Sequence, residues 1–283
     1  MALAPADAGD LEDPVDLAGD LFGVDYRRDG ATAVITLARP AVGNALSRRM
    51  RPILQAIWAD VEADPAVRAV VVTGAGPRHF CTGVDVAEVA ATGKGTAGDG
   101  PAHEEIAWSP LLNGVWKPVI CAVNGVVAGG GLHFVLDADI VVAAEHAAFL
   151  DTHVSVGMVS GVEAVGLAHR LPLGSALRMA LSGSRYRMPA ARAHQLGLVD
   201  EIVAADALLE TAMGIADDIA SASPAAVRRT KQAVWGSLGR PHEEAVETAW
   251  TSAREHWGHP DFLEGPRAFA ERRPPQWTMG GGS

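Results

Sequence analysis

The chain has 283 residues, 48% of them hydrophobic, and a formal net charge of -11. This length supports one large domain or two small ones around a well-buried core. The acidic balance argues against a non-specific nucleic-acid surface or an acidic membrane as partner, and leaves room for an anionic small molecule held by a few local basic groups.

Residues 1–23 are acidic, rich in Ala and Asp, and lack the basic start and apolar core of a signal peptide. They read as a loose extension. Residues 31–37 are β-rich and stop at Arg39-Pro40. Ser47 is expected to cap a helix running to about residue 64. Its apolar positions Leu46, Met50, Ile53, Leu54, Ile57 and Val61 follow helical spacing. Pro52 should distort the first turns. Residues 67–73 form a continuous apolar run, as expected of a strand buried on both faces, broken by Gly74-Ala75-Gly76-Pro77. Residues 92–103 hold Gly93, Gly95, Gly98, Gly100 and Pro101 and read as a mobile loop.

Further strands are expected at 118–123, 140–143 and 198–203. From about residue 205 onward the pattern is helical only, with candidates at 205–220, 224–238 and 243–257. The alternation implies an α/β fold. The apolar stretch 132–144 is too short to span a bilayer and carries Asp137 and Asp139. The terminal Gly280-Gly281-Gly282-Ser283 reads as a flexible end. Cys81 and Cys121, the two cysteines, sit in apolar surroundings without CxxC or Cys/His spacing. No metal site is expected, and a reducing, cytoplasmic setting is.

The most telling stretch is Asn124-Gly125-Val126-Val127-Ala128-Gly129-Gly130-Gly131-Leu132-His133. An apolar strand enters it and an apolar, helix-length segment leaves it. Glycines there let backbone N–H groups approach a ligand with no Cβ in the way. The first N–H groups of a helix lack internal partners and can bind a developing oxyanion. A tight strand–helix turn would use the same glycines.

Several motifs then combine in order. They are Arg39-Pro40 with Asn44-Ala45-Leu46-Ser47, Val71-Val72-Thr73-Gly74, and Phe80-Cys81-Thr82-Gly83-Val84-Asp85. Lys117-Pro118-Val119-Ile120, Asn124-Gly125, the triple glycine, the Ala191 to Val199 segment and the tail from Asp261 to Pro275 follow. Over residues 24–277 this set resembles the enoyl-CoA hydratase/isomerase (crotonase) superfamily.

The resemblance implies a crotonase-like spiral of ββα turns with a C-terminal helical trimerisation region. On that basis residues 24–204 form the α/β spiral core and 205–283 the helical region. It implies acyl-CoA substrates, with CoA as part of the substrate and no separate cofactor. It also implies an enolate held by two backbone N–H groups, which fall here on Val84 and Gly130. A homotrimer or dimer of trimers is the expected assembly, because Trp250, Trp257, Phe262 and Phe269 are more than one short helical region can cover.

The pattern is broken where the resemblance implies two catalytic glutamates. Those positions hold His133 and His153. An imidazole titrates near neutral pH, with an unperturbed pKa of about 6.5. If either histidine is the general base, activity falls as pH drops through that region. Asp151 and Glu163 lie close in sequence and are candidates to orient the histidines or to act themselves. Basic groups toward CoA are thinned: Ala41 and Ala87 stand where lysines are frequent, while Arg272 matches a basic residue that helps hold CoA phosphates. Ser160 replaces a usual proline. Three readings stay open: an acyl-CoA hydratase, isomerase or lyase; a CoA-independent C–C hydrolase of a cyclic β-diketone; and a non-catalytic binding subunit.

Overall fold

A computed structural model of the chain describes residues 15–93, 98 and 100–278. The first fourteen residues, residues 94–97 and 99 of the glycine-rich loop, and the end from residue 279 therefore lie outside the described residues. Of the expected loose extension, the described part is tied down. Leu21 is buried, and Val15 and Leu17 pack against the core.

In chain order the first elements are β1 (Val24–Asp29), β2 (Thr32–Leu37), α1 (Met50–Ala63), β3 (Ala69–Gly74) and β4 (His79–Cys81). Then come α2 (Val86–Thr92), α3 (Ala102–Glu105), β5 (Val119–Val123), β6 (Val126–Ala128) and α4 (Leu132–Leu136). Next are β7 (Ile140–Ala144), β8 (Ala148–Leu150), α5 (Val162–Arg170) and α6 (Leu173–Ser182). They are followed by β9 (Met188–Pro189), α7 (Ala190–Gln195) and β10 (Glu201–Val203). Four helices close the described chain: α8 (Leu208–Ala220), α9 (Pro224–Gly236), α10 (His242–His256) and α11 (Pro260–Glu271).

The strands form two sheets, ordered β1-β2-β3-β5-β7-β10 and β4-β6-β8-β9. Pairing is parallel from β2 to β10 and from β4 to β8, and antiparallel for β1 with β2 and for β8 with β9. Each pass along the chain lays one strand in the large sheet, one in the small sheet, and then a helix. Thus β3, β4 and α2 are followed by β5, β6 and α4, and these by β7, β8 and α5. This is the expected spiral of ββα turns.

The corner between the two sheets is held by two asparagines. The Asn124 side chain accepts from Gly74 N–H (3.1 Å) and donates to the Gly76 and His79 carbonyls (2.6 and 3.1 Å). Asn44 donates to the Ala75 and His79 carbonyls (2.9 and 2.8 Å). Gly125 must be small: a Cβ there would lie 2.4 Å from the Arg78 carbonyl oxygen.

The α1 helix buries Met50, Ile53, Leu54, Ile57, Trp58 and Val61, the face its spacing implies. Its entry differs from expectation. Arg49 rather than Ser47 occupies the cap, with no side-chain bond, and the Met50 N–H reaches the Ser47 carbonyl (3.1 Å). Pro52 does not distort the helix, because it falls in the first turn, where N–H groups have no intrahelical acceptor. The opposite face of the large sheet is covered by α8, whose Leu208, Ala212 and Ala216 pack on Ala69, Val71, Ile120, Ala122, Val142 and Ala144. The helical region thus begins as part of the core packing.

Candidate active site

Three turns that follow small-sheet strands meet at one place. After β4, the chain turns at Gly83 (φ 87) into Val84 and Asp85. The Leu46 N–H donates to the Gly83 carbonyl (2.8 Å), and the Asp85 N–H donates to the Leu46 carbonyl (3.0 Å). Arg39 locks the turn from outside, with Nη1 on the Ala45 carbonyl (2.6 Å) and Nη2 on Asp85 Oδ2 (3.0 Å). Asp85 in turn caps α2 by accepting from the Glu88 N–H. Sequence reasoning did not single out this latch, although Arg39 and Asp85 belong to two of its motifs.

After β6, Gly129, Gly130 and Gly131 form a buried 3-10 turn that runs into α4. A Cβ on Gly131 would lie 2.5 Å from the Cys81 carbonyl oxygen, so β4 approaches only a glycine. A Cβ on Gly83 would lie 2.9 Å from the Ala128 carbonyl oxygen and 3.0 Å from the Gly130 nitrogen. One on Gly130 would meet Leu46 and Val84 side chains at 3.5 and 3.8 Å. The Val84 and Gly130 turns are therefore packed against each other.

After β8 comes Asp151, fully buried, and then a short turn over His153–Val156. This turn packs on the glycines: a Cβ on Gly129 would lie 3.2 Å from Thr152 Oγ1 and 3.6 Å from His153 Cε1. His153 presents Nδ1 to Asp151 Oδ1 at 2.7 Å, and its backbone N–H binds the same oxygen at 3.0 Å. Asp151 Oδ2 accepts the Ser160 hydroxyl. His133, buried on α4, places Nε2 3.1 Å from Glu163 Oε1. The same Glu163 oxygen lies 3.6 Å from His153 Nε2. Glu163 reaches them from the first turn of α5.

All four side chains singled out in the sequence, His133, His153, Asp151 and Glu163, are thus in one cluster. Arg272 is on none of these elements. It is an exposed residue closing α11 in a left-handed conformation (φ 53), and the neighbouring Glu264 and Glu271 pair with Arg273. Ala41 and Ala87 are exposed and lie within two residues of the Arg39–Asp85 pair.

The charges follow from these contacts. The hydrogen bond to Asp151 raises the His153 pKa above the ordinary imidazole value, burial opposes it, and the nearby Glu163 and Asp151 charges add to the rise. Burial pushes Asp151 upward, but bonds from His153 and Ser160 outweigh it and hold the carboxylate below its usual range. For Glu163 burial again acts upward and is overcome, here by the His133 hydrogen bond and the two histidine charges. Two carboxylates therefore stay ionised beside two imidazoles in a buried site. Among the described residues no group of three or more His, Cys, Asp or Glu side chains is arranged to hold a metal ion.

The family model for enoyl-CoA hydratase/isomerase matches residues 27–280. The chain belongs to the enoyl-CoA hydratase/isomerase family. It is 35% identical over 255 residues to the (E)-benzylidenesuccinyl-CoA hydratase of Thauera aromatica, covering 86% of this chain and 94% of that protein. It is 32% identical to an enoyl-CoA hydratase of Mycobacterium tuberculosis, covering 88% of this chain and 94% of that protein. The crystal structure of an enoyl-CoA hydratase/isomerase from Mycobacterium paratuberculosis matches with a TM-score of 0.85 at 42% identity, covering 92% of this chain and all of that one. Fold and family therefore agree with the motif reading, and the protein is an enzyme of a hydratase and isomerase family. Its site holds a four-residue cluster of two histidines and two carboxylates.

Proposed function

We propose that this enzyme hydrates the carbon–carbon double bond of an enoyl-CoA thioester through an enolate, with His133 and His153 handling the protons. The observation that carries the reading is the single Glu163 oxygen shared by two imidazoles, in a cluster packed on the glycine turn. The thioester oxygen would accept from the Val84 and Gly130 N–H groups, where charge develops during addition. With Nε2–H on Glu163, His133 keeps its lone pair on Nδ1, and this nitrogen takes a proton from water as the water oxygen bonds to Cβ. The electron pair of the double bond moves onto the thioester oxygen. His153, flanked by Asp151 and Glu163, is the imidazolium that then returns a proton to Cα. Turnover is completed when His133 gives up its new Nδ1 proton to solvent and His153 takes one up again on Nε2, while the Glu163 carboxylate between the two Nε2 atoms stabilises whichever ring is charged.

CoA enters only as part of the substrate, and Arg272 remains the proposed contact to its phosphates. A second reading, C–C hydrolysis of a cyclic β-diketone without CoA, rests on Ala41 and Ala87, which supply no charge beside the Arg39–Asp85 latch. Incubation with a panel of enoyl-CoA thioesters and of cyclic β-diketones in deuterated water separates the two. Hydroxyacyl-CoA deuterated at Cα is the expected product. Cleavage of the diketones alone would favour the second reading. Turnover of neither would leave a binding subunit.

Crotonyl-CoA itself is expected to be a poor substrate, turned over more slowly than the typical enzyme rate of about 10 per second. Restoring His133→Glu and His153→Glu should not help alone, because each new carboxylate would face Glu163 across about the distance the imidazoles now span, and like charges there repel. Adding Glu163→Ala should raise crotonyl-CoA hydration above the double variant. A fast wild type, or no gain in the triple variant, counts against this.

A homotrimer or dimer of trimers in the cytoplasm remains the proposed state. Trp250 and Trp257 are half exposed and edge-on at 5.6 Å, and Phe269 is 88% exposed. Apolar faces of this kind mark interaction sites. Sedimentation should give three or six copies, and a stable monomer at micromolar concentration would refute it. Among the described residues no helix is long and apolar enough to cross a membrane.

A further inference from the structure

Ser160 stands between the His153 turn and α5, where the resemblance implies a proline. A proline there would offer no donor. In this chain the hydroxyl donates to Asp151 Oδ2, on the side of the carboxylate away from His153. The other oxygen, Oδ1, takes both the backbone N–H and the Nδ1 of His153, at 3.0 and 2.7 Å. A fully buried carboxylate needs its donors to stay ionised and fixed. Without Ser160, only His153 would hold it among these bonds, and the carboxylate would be fixed against rotation about its Cβ–Cγ bond through Oδ1 alone.

We propose that Ser160 is a positioning residue: acting through Asp151, it fixes the orientation and the charge of His153. The same hydroxyl ties the end of β8 to the segment that carries Glu163 three residues later. It therefore sets the placement of both carboxylates that face His153. These are the titratable groups around the ring: Asp151 after β8 and Glu163 on α5. His133, on α4, touches it only through Glu163.

The sign of the effect follows from charge. A donor on Oδ2 withdraws negative charge from Oδ1. Removing it leaves Oδ1 a stronger acceptor for the Nδ1 proton, so His153 should keep its proton to higher pH. A looser carboxylate also lets the ring turn, which misplaces the proton that Nε2 delivers.

The inference deepens the reading of His153 as proton donor, but its primary test needs no substrate. The His153 ring is titrated by nitrogen-15 NMR in wild type, Ser160→Ala, Ser160→Thr and Ser160→Cys. Ser160→Ala should move the titration upward, Ser160→Thr should restore it, and Ser160→Cys, a weak donor, should fall between. On a substrate that turns over, kcat at neutral pH should fall by about ten- to a hundredfold in Ser160→Ala with little change in KM. An unmoved or downward titration in a variant with wild-type circular dichroism and thermal unfolding overturns the proposal. Ser160→Cys keeps the test open should Ser160→Ala not fold. A titration that shifts as expected in a protein that turns over no enoyl-CoA supports the Ser160 role and refutes the hydratase reading.

Discussion

Exchanging His153 for alanine is expected to lower turnover by about 10²- to 10⁴-fold, the range for losing a positioned acid or base. His133→Ala should cost a similar factor. Both should keep the same oligomer but unfold at a lower temperature, since each leaves a buried carboxylate, Asp151 or Glu163, without its imidazole partner, so rates are compared well below the unfolding transition. The pH profile separates the two roles. His153 is held protonated above the ordinary imidazole range, by the Asp151 hydrogen bond first and by the Glu163 charge in addition. As donor in hydration it must be charged, so the rate should fall as pH rises through its raised pKa. This limb should vanish in His153→Ala and move in Asp151→Asn. The same raised pKa contributes stability that is complete below the unfolded-state value and is lost as pH rises through the folded value. Near-wild-type rates in both histidine variants would reduce the imidazoles to cavity filling and shift the chemistry to Glu163 or Asp151.

The second large effect is expected at Gly83, which carries no functional group. At φ 87 an alanine is strained, and its Cβ would press on the Ala128 carbonyl oxygen at 2.9 Å and the Gly130 nitrogen at 3.0 Å. Backbone rather than a flexible side chain must then move. The Val84 and Gly130 turns should part, and kcat should fall by about 10²–10³-fold, the loss measured for one oxyanion donor. Strain should also cost roughly 1–3 kcal/mol of stability. Gly114→Ala is the matched control: it has φ 69, but nothing lies within 4 Å of the added Cβ. It should lose stability and keep its rate. Unchanged kcat in Gly83→Ala would remove the oxyanion pocket from the mechanism.

The glycine turns were legible in the sequence because each obeys a local constraint. Gly83, Gly125 and Gly131 all face a backbone atom across a distance that admits no Cβ. The large sheet was legible for the same kind of reason: its inner strands are continuous apolar runs. The small sheet was not. Strands β4, β6 and β8 have three residues each, too few to show a period of two. The polar edge strand β1 escaped as well, with five of six residues at least partly exposed and charges at Asp25, Arg27, Arg28 and Asp29. Helices α5, α6 and α11 were not anticipated either. In the site, the two histidines stood out against the motif, and the two acids stood out by proximity. The Ser160–Asp151 bond spans nine residues, and the Arg39–Asp85 pair spans 46. Such partners are set by the course of the spiral and leave no mark on nearby sequence.

The spiral has a consequence for how this site can change. Each turn offers one equivalent position, the loop just beyond its small-sheet strand, and three adjacent loops compose the pocket. Two of them, after β4 and β6, contribute main-chain atoms that every amino acid possesses. The third, after β8, contributes side chains, with His133 and Glu163 added from the helices on either side. Mutation can rewrite the proton carriers one codon at a time while the anion cradle stays as it was. On the proposed mechanism, an altered acid–base set begins its history with a stabilised intermediate already available, and selection has only to find where the protons should go.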